Sequence, residues 1–255
     1  MSTLAVIPAR LGATRLPRKP LRLLAGVPLV VRVWERVTAT GVADRCVIAT
    51  DHPDIADAAR AADAECVLTA SHHPSGTDRV AEVVARVEFG AYDVILNVQG
   101  DEPFVPVDAL RGAVEMVRSG RFPLGTAATP ATTDVLASPD VVKVVCADDG
   151  RAMYFSRAAI PYLRDTTDAA ERASMVRHHL GVYAYTPEAL ARWVALPPHP
   201  LERVERLEQL RPLAAGIPMG VALIRAGLPH SGGIDTEEDL KRANERWSHL
   251  IAGRS

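Results

Sequence analysis

Along the first half of the chain, short and wholly apolar runs alternate with longer stretches in which apolar residues recur every three or four positions. Residues 4–7, 45–49, 65–68 and 94–98 form the short runs. Their lack of polar alternation predicts strands covered on both faces. Residues 28–39, 53–62 and 77–87 carry helical spacing between them, and in the last of these Val80, Val83, Val84 and Val87 fall on one face. Strand–helix–strand repetition predicts parallel pairing through right-handed crossovers. The expected class is therefore α/β, with a doubly wound, mostly parallel sheet. After about residue 124 the rhythm loosens. Strand-like runs at 141–146, 153–155, 181–185 and 219–224 are mixed with helical patterns at 187–194, 201–214 and 236 to about 249. No linker, repeat or low-complexity segment interrupts the chain. We read residues 1–255 as one domain whose irregular, β-rich second half elaborates the sheet into a lid or dimerisation surface.

Composition narrows the partners. Lys and Arg number 29 against 31 Asp and Glu, so the chain lacks the basic surplus expected of a nucleic-acid binder. No apolar run approaches the roughly 20 residues of a membrane span. The opening Leu4-Ala5-Val6-Ile7 reads as a core strand, not as a signal peptide, and a soluble cytoplasmic protein is expected. Cys46, Cys66 and Cys146 are odd in number, unclustered and placed in strand-like runs, which predicts buried free thiols.

In a sheet of this class, ligands bind beyond the carboxyl ends of the strands. The first strand runs into Pro8-Ala9-Arg10-Leu11-Gly12-Ala13-Thr14-Arg15-Leu16-Pro17-Arg18-Lys19-Pro20, a loop of cations, free backbone N–H groups, a flexible glycine and a hydroxyl. Such loops cradle phosphates. A solvated basic loop has the same composition, and its position directly after the strand is what points to an anion. The loop is neither a Walker A motif nor the GxGxxG fingerprint, which disfavours a dinucleotide-dependent oxidoreductase. The fourth strand ends in Asn97-Val98-Gln99-Gly100-Asp101-Glu102-Pro103, where a carboxylate beside a glycine suits a Mg²⁺ shared with substrate phosphates. A second isolated carboxylate, Asp235, follows in Gly232-Gly233-Ile234-Asp235-Thr236, where Asp235 or Thr236 reads convincingly as a cap for the final helix and the glycine-rich loop before it leaves a binding role open. In Ser75-Gly76-Thr77-Asp78-Arg79, Thr77 or Asp78 reads as the cap of a helix whose exposed backbone could meet the edge of a base.

Several segments occur together and in order: IPARLGATRLPRKPL at 7–21, ATDHPDIA at 49–56, SGTDRVAEV at 75–83, NVQGDEP at 97–103, KVV at 143–145, YFSRAAIPYLRD at 154–165, HLGVYAY at 179–185, PLERVERLEQLR at 200–211 and GIDTEEDL at 233–240. With them the chain resembles the 3-deoxy-manno-octulosonate (Kdo) cytidylyltransferases and, more distantly, the CMP-sialic acid synthetases. The resemblance implies a three-layer, Rossmann-like nucleotidyltransferase fold, with residues 1–130 mainly serving the nucleotide and 131–255 mainly the acceptor and a homodimer contact. It implies transfer of CMP from CTP to Kdo in the service of lipopolysaccharide synthesis, in a cytoplasmic enzyme. Sialic acid, an amino-Kdo analogue or a phosphonate would be the alternative acceptors.

Position by position, the resemblance implies that Arg10, Arg15 and Lys19 bind the triphosphate, with Ala9 and Thr14 lining the loop. Ser75, Gly76, Thr77 and Arg79 would recognise cytosine. Asp101 and Asp235 would hold Mg²⁺, and Gln99 and Gly100 would line the space between nucleotide and sugar. Arg157, Arg164, His179, Tyr183, Glu208 and Gln209 would form the acceptor pocket, with the two arginines gripping the sugar carboxylate. Lys19, Asp101 and Arg15 would carry the chemistry. By residue type alone, Tyr183 reads as ordinary core, and Glu208 with Gln209 as the wet face of a helix. The chain departs from the family pattern at Arg18, where a glycine commonly precedes the loop lysine, in LGAT at 11–14, and at His178 in place of a basic residue. Residues 166–175 have no assignable pattern.

Overall fold

The computed structural model describes residues 1–12, 15–225 and 233–252. In chain order, the first stretch holds β1 (Thr3–Ala9), β2 (Leu23–Leu24), β3 (Val27–Pro28), α1 (Leu29–Ala39), β4 (Arg45–Thr50), α2 (Pro53–Arg60), β5 (Cys66–Leu68) and α3 (Gly76–Val84). The middle holds β6 (Val94–Asn97), α4 (Val107–Arg118), β7 (Leu124–Pro130), β8 (Lys143–Cys146), β9 (Ala152–Ser156), α5 (Ala169–Met175) and β10 (Arg177–Tyr185). The remainder holds α6 (Pro187–Ala195), α7 (Pro200–Glu205), α8 (Leu210–Ala214), β11 (Met219–Leu223) and α9 (Glu237–Ala252). The chain forms two compact units that interleave in sequence. One comprises Ser2–Tyr92 and Asn97–Val105 with the described residues after 232; the other comprises Met1, Asp93–Leu96 and the described residues from Pro106 to Arg225.

In the first unit β1, β4 and β5 are parallel, in the register Leu4 to Arg45 and Ile48 to Cys66. Each link between them is a helix, as the repetition of apolar runs predicts. Leu4, Ala5, Val6 and Ile7 are fully buried, and a buried Leu or Ile contributes roughly 1.5–3 kcal/mol. Helix α3 begins one residue earlier than expected. Its cap is Ser75, whose Oγ accepts the Asp78 N–H at 3.2 Å, where Thr77 or Asp78 was the expected cap. The helix buries Val80 and Val83 but ends at Val84, and Val87 lies 95% exposed. The four-valine face is thus two residues deep, because the chain turns away at Ala85.

In the second unit β11 runs parallel to β7, while β10 is antiparallel to β7 and β8, and β8 is antiparallel to β9. Residues 107–118, unassigned by the pattern above, form α4 with Ala109, Leu110, Ala113, Val114 and Val117 buried at helical spacing. Two glycines permit its packing. A Cβ on Gly125 would lie 2.2 Å from the Ala113 carbonyl oxygen, and one on Gly112 would lie 2.6 Å from Ala222.

The single helix expected over 201–214 is two. Arg206 takes a left-handed conformation (φ 55°) and ends α7, and the chain restarts as α8. Pro212 supplies the reason, since in a continuous helix its ring would clash with the carbonyl four residues earlier. The break places Pro212 in the first turn of α8, where the missing N–H is tolerated. Across the break, Arg211 grips Glu202 with two bonds of 2.5 and 2.8 Å. The unpatterned 166–175 segment contains a short 3-10 turn and α5, neither of which buries a side chain.

Candidate active site

The loop after β1 is anchored by one apolar residue. Leu16 is fully buried against Leu24, Leu29, Ile234, Leu240 and Ala243, so the loop and the start of α9 share a core. That packing fixes where the neighbouring cations fall. Lys19 places its Nζ 2.5 Å from Asp101 Oδ2 and 2.8 Å from Asp235 Oδ1, and Arg15 reaches the other oxygen of Asp235 at 2.8 Å. Residues more than 200 positions apart thus meet in one cluster. Burial pulls Lys19 toward the neutral form, but the charges and hydrogen bonds of Asp101 and Asp235 outweigh it and hold its pKa above the ordinary lysine value. Beside them, burial and then the charge of Asp101 push Glu102 well above the usual carboxylate range.

Asp235 does not cap the final helix. Thr236 Oγ1 accepts the Asp239 N–H at 3.1 Å while Asp239 accepts the Thr236 N–H at 2.9 Å, a reciprocal cap that leaves the Asp235 carboxylate to the cations. The segment bearing Asp101 is docked on both sides. Ile234 N–H donates to the Asp101 carbonyl at 3.0 Å, and a Cβ on Gly233 would lie 3.1 Å from the Asp101 carboxylate. A Cβ on Gly100 would lie 3.0 Å from the Pro8 carbonyl oxygen, and one on Gly76 would lie 3.2 Å from the Pro8 ring. The turn after β6 and the start of α3 therefore both close on the end of β1, with Ala9 buried and Gln99 and Gly100 partly exposed.

The donor set suits a hard divalent cation. Two carboxylates from distant segments already close around a cationic group, and no group of three or more His, Cys, Asp or Glu side chains able to hold a metal occurs among the described residues. A Mg²⁺ held by one or two carboxylates, with waters and phosphate oxygens completing the octahedron, requires no more. Thiolate or imidazole cages are not what these residues offer.

Not every expected residue joins this cluster. Arg10 is exposed and makes no hydrogen bond or ion pair among the described residues. Thr14 lies outside the described residues. At the head of α3, Ser75 donates to Asp78 at 2.6 Å and Thr77 is buried. Arg79 is also buried, its guanidinium 3.1 Å from Asp51 and bonded to Thr69 Oγ1 and the Ala70 carbonyl. It braces the loop leading into Ser75.

In the second unit, His179 is buried, with Nε2 2.9 Å from Thr126 Oγ1 and its ring 4.8 Å edge-on to Phe155 and 5.5 Å from Tyr183. Tyr183 also meets Trp193 edge-on at 6.0 Å. Arg157 is half-buried and bonded to the Glu205 and Pro139 carbonyls. Arg164 is exposed, with no bond among the described residues. Gln209 is buried at the start of α8 while Glu208 is exposed, so only Glu208 fits the wet-face reading.

A model of the family described as cytidylyltransferase matches residues 4–220. The chain belongs to the cytidylyltransferase family. Its similarity to individual members is close. A 3-deoxy-manno-octulosonate cytidylyltransferase of Gemmatimonas aurantiaca is 64% identical over 255 residues, spanning 100% of this chain and 98% of that protein. One from Yersinia pseudotuberculosis serotype O:1b is 44% identical over 245 residues, 95% and 97% of the two chains. Among solved structures, CMP:2-keto-3-deoxy-manno-octonic acid synthetase complexed with CTP superposes with a TM-score of 0.89 at 33% identity, over 98% of this chain and 100% of that one. A 4-diphosphocytidyl-2C-methyl-D-erythritol synthase from Anaerococcus prevotii, at 15% identity and TM-score 0.62 over 97% and 98%, shares the fold. The α/β nucleotidyltransferase architecture expected from the sequence is thereby established.

Against the cytidylyltransferase pattern, one departure acquires a physical reading. Arg18, where a glycine commonly stands, has φ 56° and ψ 31°. This left-handed conformation costs a non-glycine residue roughly 1–2 kcal/mol. The Arg18 guanidinium meets Asp54 at 2.5 Å, an exposed pair that solvent screens. Asp51, Lys143 and Glu205, by contrast, have no role in the sequence reading. Lys143 and Glu205 carried no signal beyond their place in matched segments, and Asp51 stands at the end of β4, where a ligand-side residue is to be sought.

Proposed function

We propose that the chain transfers the cytidylyl group of CTP to the anomeric hydroxyl of Kdo, releasing pyrophosphate. The observation that carries the chemistry is Lys19 held between Asp101 and Asp235 with Arg15 alongside. The names of relatives that match this chain nearly end to end support Kdo as acceptor.

The anomeric oxygen forms a bond to the α-phosphorus in line as the bond to the pyrophosphate oxygen breaks, so catalysis is positioning and charge neutralisation. Asp101 and Asp235 would hold Mg²⁺, which when bound polarises the α-phosphoryl group and orients it for attack. Lys19 and Arg15 are assigned to neutralise charge on the departing pyrophosphate, with Arg10 as a further cation of the same loop. Gly100 and Gly76 let the turn after β6 and the head of α3 close on the end of β1, where the nucleotide is assigned. Ser75, Gly76 and Thr77 present backbone at the head of α3 for the cytosine edge, and Arg79 keeps that turn in place. Arg157, with Arg164, His179, Tyr183, Glu208 and Gln209, is assigned to the sugar acid. We further infer a cytoplasmic homodimer. No helix among the described residues is long and apolar enough to cross a membrane.

The test is pyrophosphate release with CTP and Mg²⁺, comparing Kdo, sialic acid and no acceptor. Release with Kdo alone is expected. Release with sialic acid in preference to Kdo would reassign the acceptor, and release with neither would refute the proposed transfer.

A further inference from the structure

Arg157 is held at every polar group except one. Its backbone N–H donates to the Glu205 carboxylate at 2.9 Å, and its carbonyl accepts from Lys143 Nζ at 2.5 Å. In the side chain, Nε donates to the Glu205 carbonyl at 2.9 Å and Nη1 to the Pro139 carbonyl at 2.9 Å. Nη2 has no bond among the described residues. Two residues supply most of this restraint. The Glu205 carboxylate also accepts from Ser156 Oγ at 2.6 Å, so it closes on consecutive residues at the end of β9. Lys143 is fully buried, and its ammonium donates to three carbonyls, those of Ser138 (2.9 Å), Val141 (2.7 Å) and Arg157. Burying an ammonium is costly, and the Glu205 charge offsets only part of the burial that holds Lys143 below the ordinary lysine value. What this one achieves is to tie the 138–141 loop, which includes the Pro139 carbonyl, to the backbone of Arg157.

We propose that Glu205 and Lys143 are positioning residues that hold the Arg157 guanidinium in one orientation, with Nη2 presented to the carboxylate of the acceptor. The inference deepens the proposed transfer to a sugar acid and rests on it. A free arginine side chain samples many rotamers, and fixing it before the ligand arrives removes that entropy from binding. With Nε and one Nη1 hydrogen taken by carbonyls, what remains is Nη2 and the second Nη1 hydrogen, which together can grip a carboxylate with two bonds. Both clamps act on the acceptor-binding arginine, and their bonds run to Ser156, Arg157 and the 138–141 loop. Their loss should therefore appear in the acceptor's KM and leave that of CTP alone.

The experiment is steady-state kinetics on Arg157→Ala, Glu205→Ala, Glu205→Gln and the double variant Arg157→Ala/Glu205→Ala, with Kdo and CTP varied in turn and melting curves recorded for each. Glu205→Ala keeps the backbone carbonyl that takes Nε and removes the carboxylate that takes Ser156 and the Arg157 N–H. It is expected to raise the Kdo KM about tenfold, since misplacement of a binding group by about 1 Å costs up to about a hundredfold. The CTP KM should stay within about twofold of wild type, the margin of an uncoupled site. Glu205→Gln, which retains one acceptor oxygen, should fall between. The double variant should be no worse than Arg157→Ala, because a positioning residue has nothing left to position. The proposal is overturned if Glu205→Ala leaves the Kdo KM unchanged in a folded protein, if the two substitutions simply add, or if Arg157→Ala itself spares the Kdo KM. Absence of Kdo turnover in the wild type would instead refute the transfer reaction on which the inference stands. Lys143→Met tests the second clamp by the same KM split. The decision rests on Glu205, since losing a buried three-carbonyl tie can unfold the loop.

Discussion

Asp101 occupies a position in which a single oxygen-to-nitrogen change separates chemistry from folding. Its carboxylate is 23% exposed and takes an ion pair from Lys19, while its backbone carbonyl is tied to Ile234. Asp101→Asn keeps the shape and the backbone tie but removes the charge that pairs with Lys19 and that the proposed Mg²⁺ would need. We expect turnover to fall by about a thousandfold or more, on the scale of losing a preorganised electrostatic element, with the melting temperature little changed. A variant retaining normal turnover would rule out Asp101 as a metal ligand. The cysteines show the opposite case at this scale. All three are free and partly buried, and burial pushes the Cys46 thiol up to about 12, so none offers a ready nucleophile.

At the scale of elements, the site depends on how segments end. Helix α3 begins at Ser75, and the same hydroxyl accepts the Asp78 N–H and donates to the Asp78 carboxylate. Ser75→Ala should destabilise the protein by about 1 kcal/mol, the usual cost of a lost N-cap. Because that turn is the one assigned to cytosine, the KM for CTP should rise as well. Equilibrium unfolding together with CTP titration separates the two effects, and a variant with unchanged CTP affinity would remove Ser75 from base recognition. The break between α7 and α8 works similarly. Pro212 forces the chain to restart after Arg206, and the last residue of α7 is Glu205, whose carbonyl and carboxylate both close on Arg157.

For the molecule as a whole, acid sensitivity and association are the measurable consequences. Burial alone would raise Glu82, but hydrogen bonds from His73, the Ala70 amide and Arg86 outweigh it and bring it down to about 2 from an ordinary 4.5. A depressed carboxylate contributes stability that is fully present above its unfolded value and is lost as pH falls through its folded value. The contribution of Glu82 should therefore be intact at pH 6 and disappear between about pH 4.5 and 2. Urea midpoints for wild type and Glu82→Gln should differ at pH 6 and converge toward pH 2.5; curves that stay parallel would sink the assignment. The inferred homodimer is tested by sedimentation equilibrium. A mass of about 55 kDa, twice the 27.4 kDa chain, is expected, and a monomer at micromolar concentration would refute it.

The sequence by itself determined the α/β class, the strands at β1, β4, β5 and β6, and the loops in which chemistry would be found, because apolar periodicity and strand-end position are local properties. It also pointed to Lys19, Asp101 and Asp235 individually. Only the tertiary structure decided that they meet. By sequence either Asp235 or Thr236 could cap the final helix; Thr236 and Asp239 satisfy that end, and Leu16 brings the β1 loop to Asp235 through a core shared with α9. Arg79, expected at the base, is buried in an ion pair with Asp51. Helix α4 is legible in the spacing of Ala109, Leu110, Ala113, Val114 and Val117, whereas the clamp of Lys143 and Glu205 on Arg157 is not legible at all. Its bonds run largely to backbone carbonyls and amides, which every residue carries, so side-chain identity gives no sign of where they will converge.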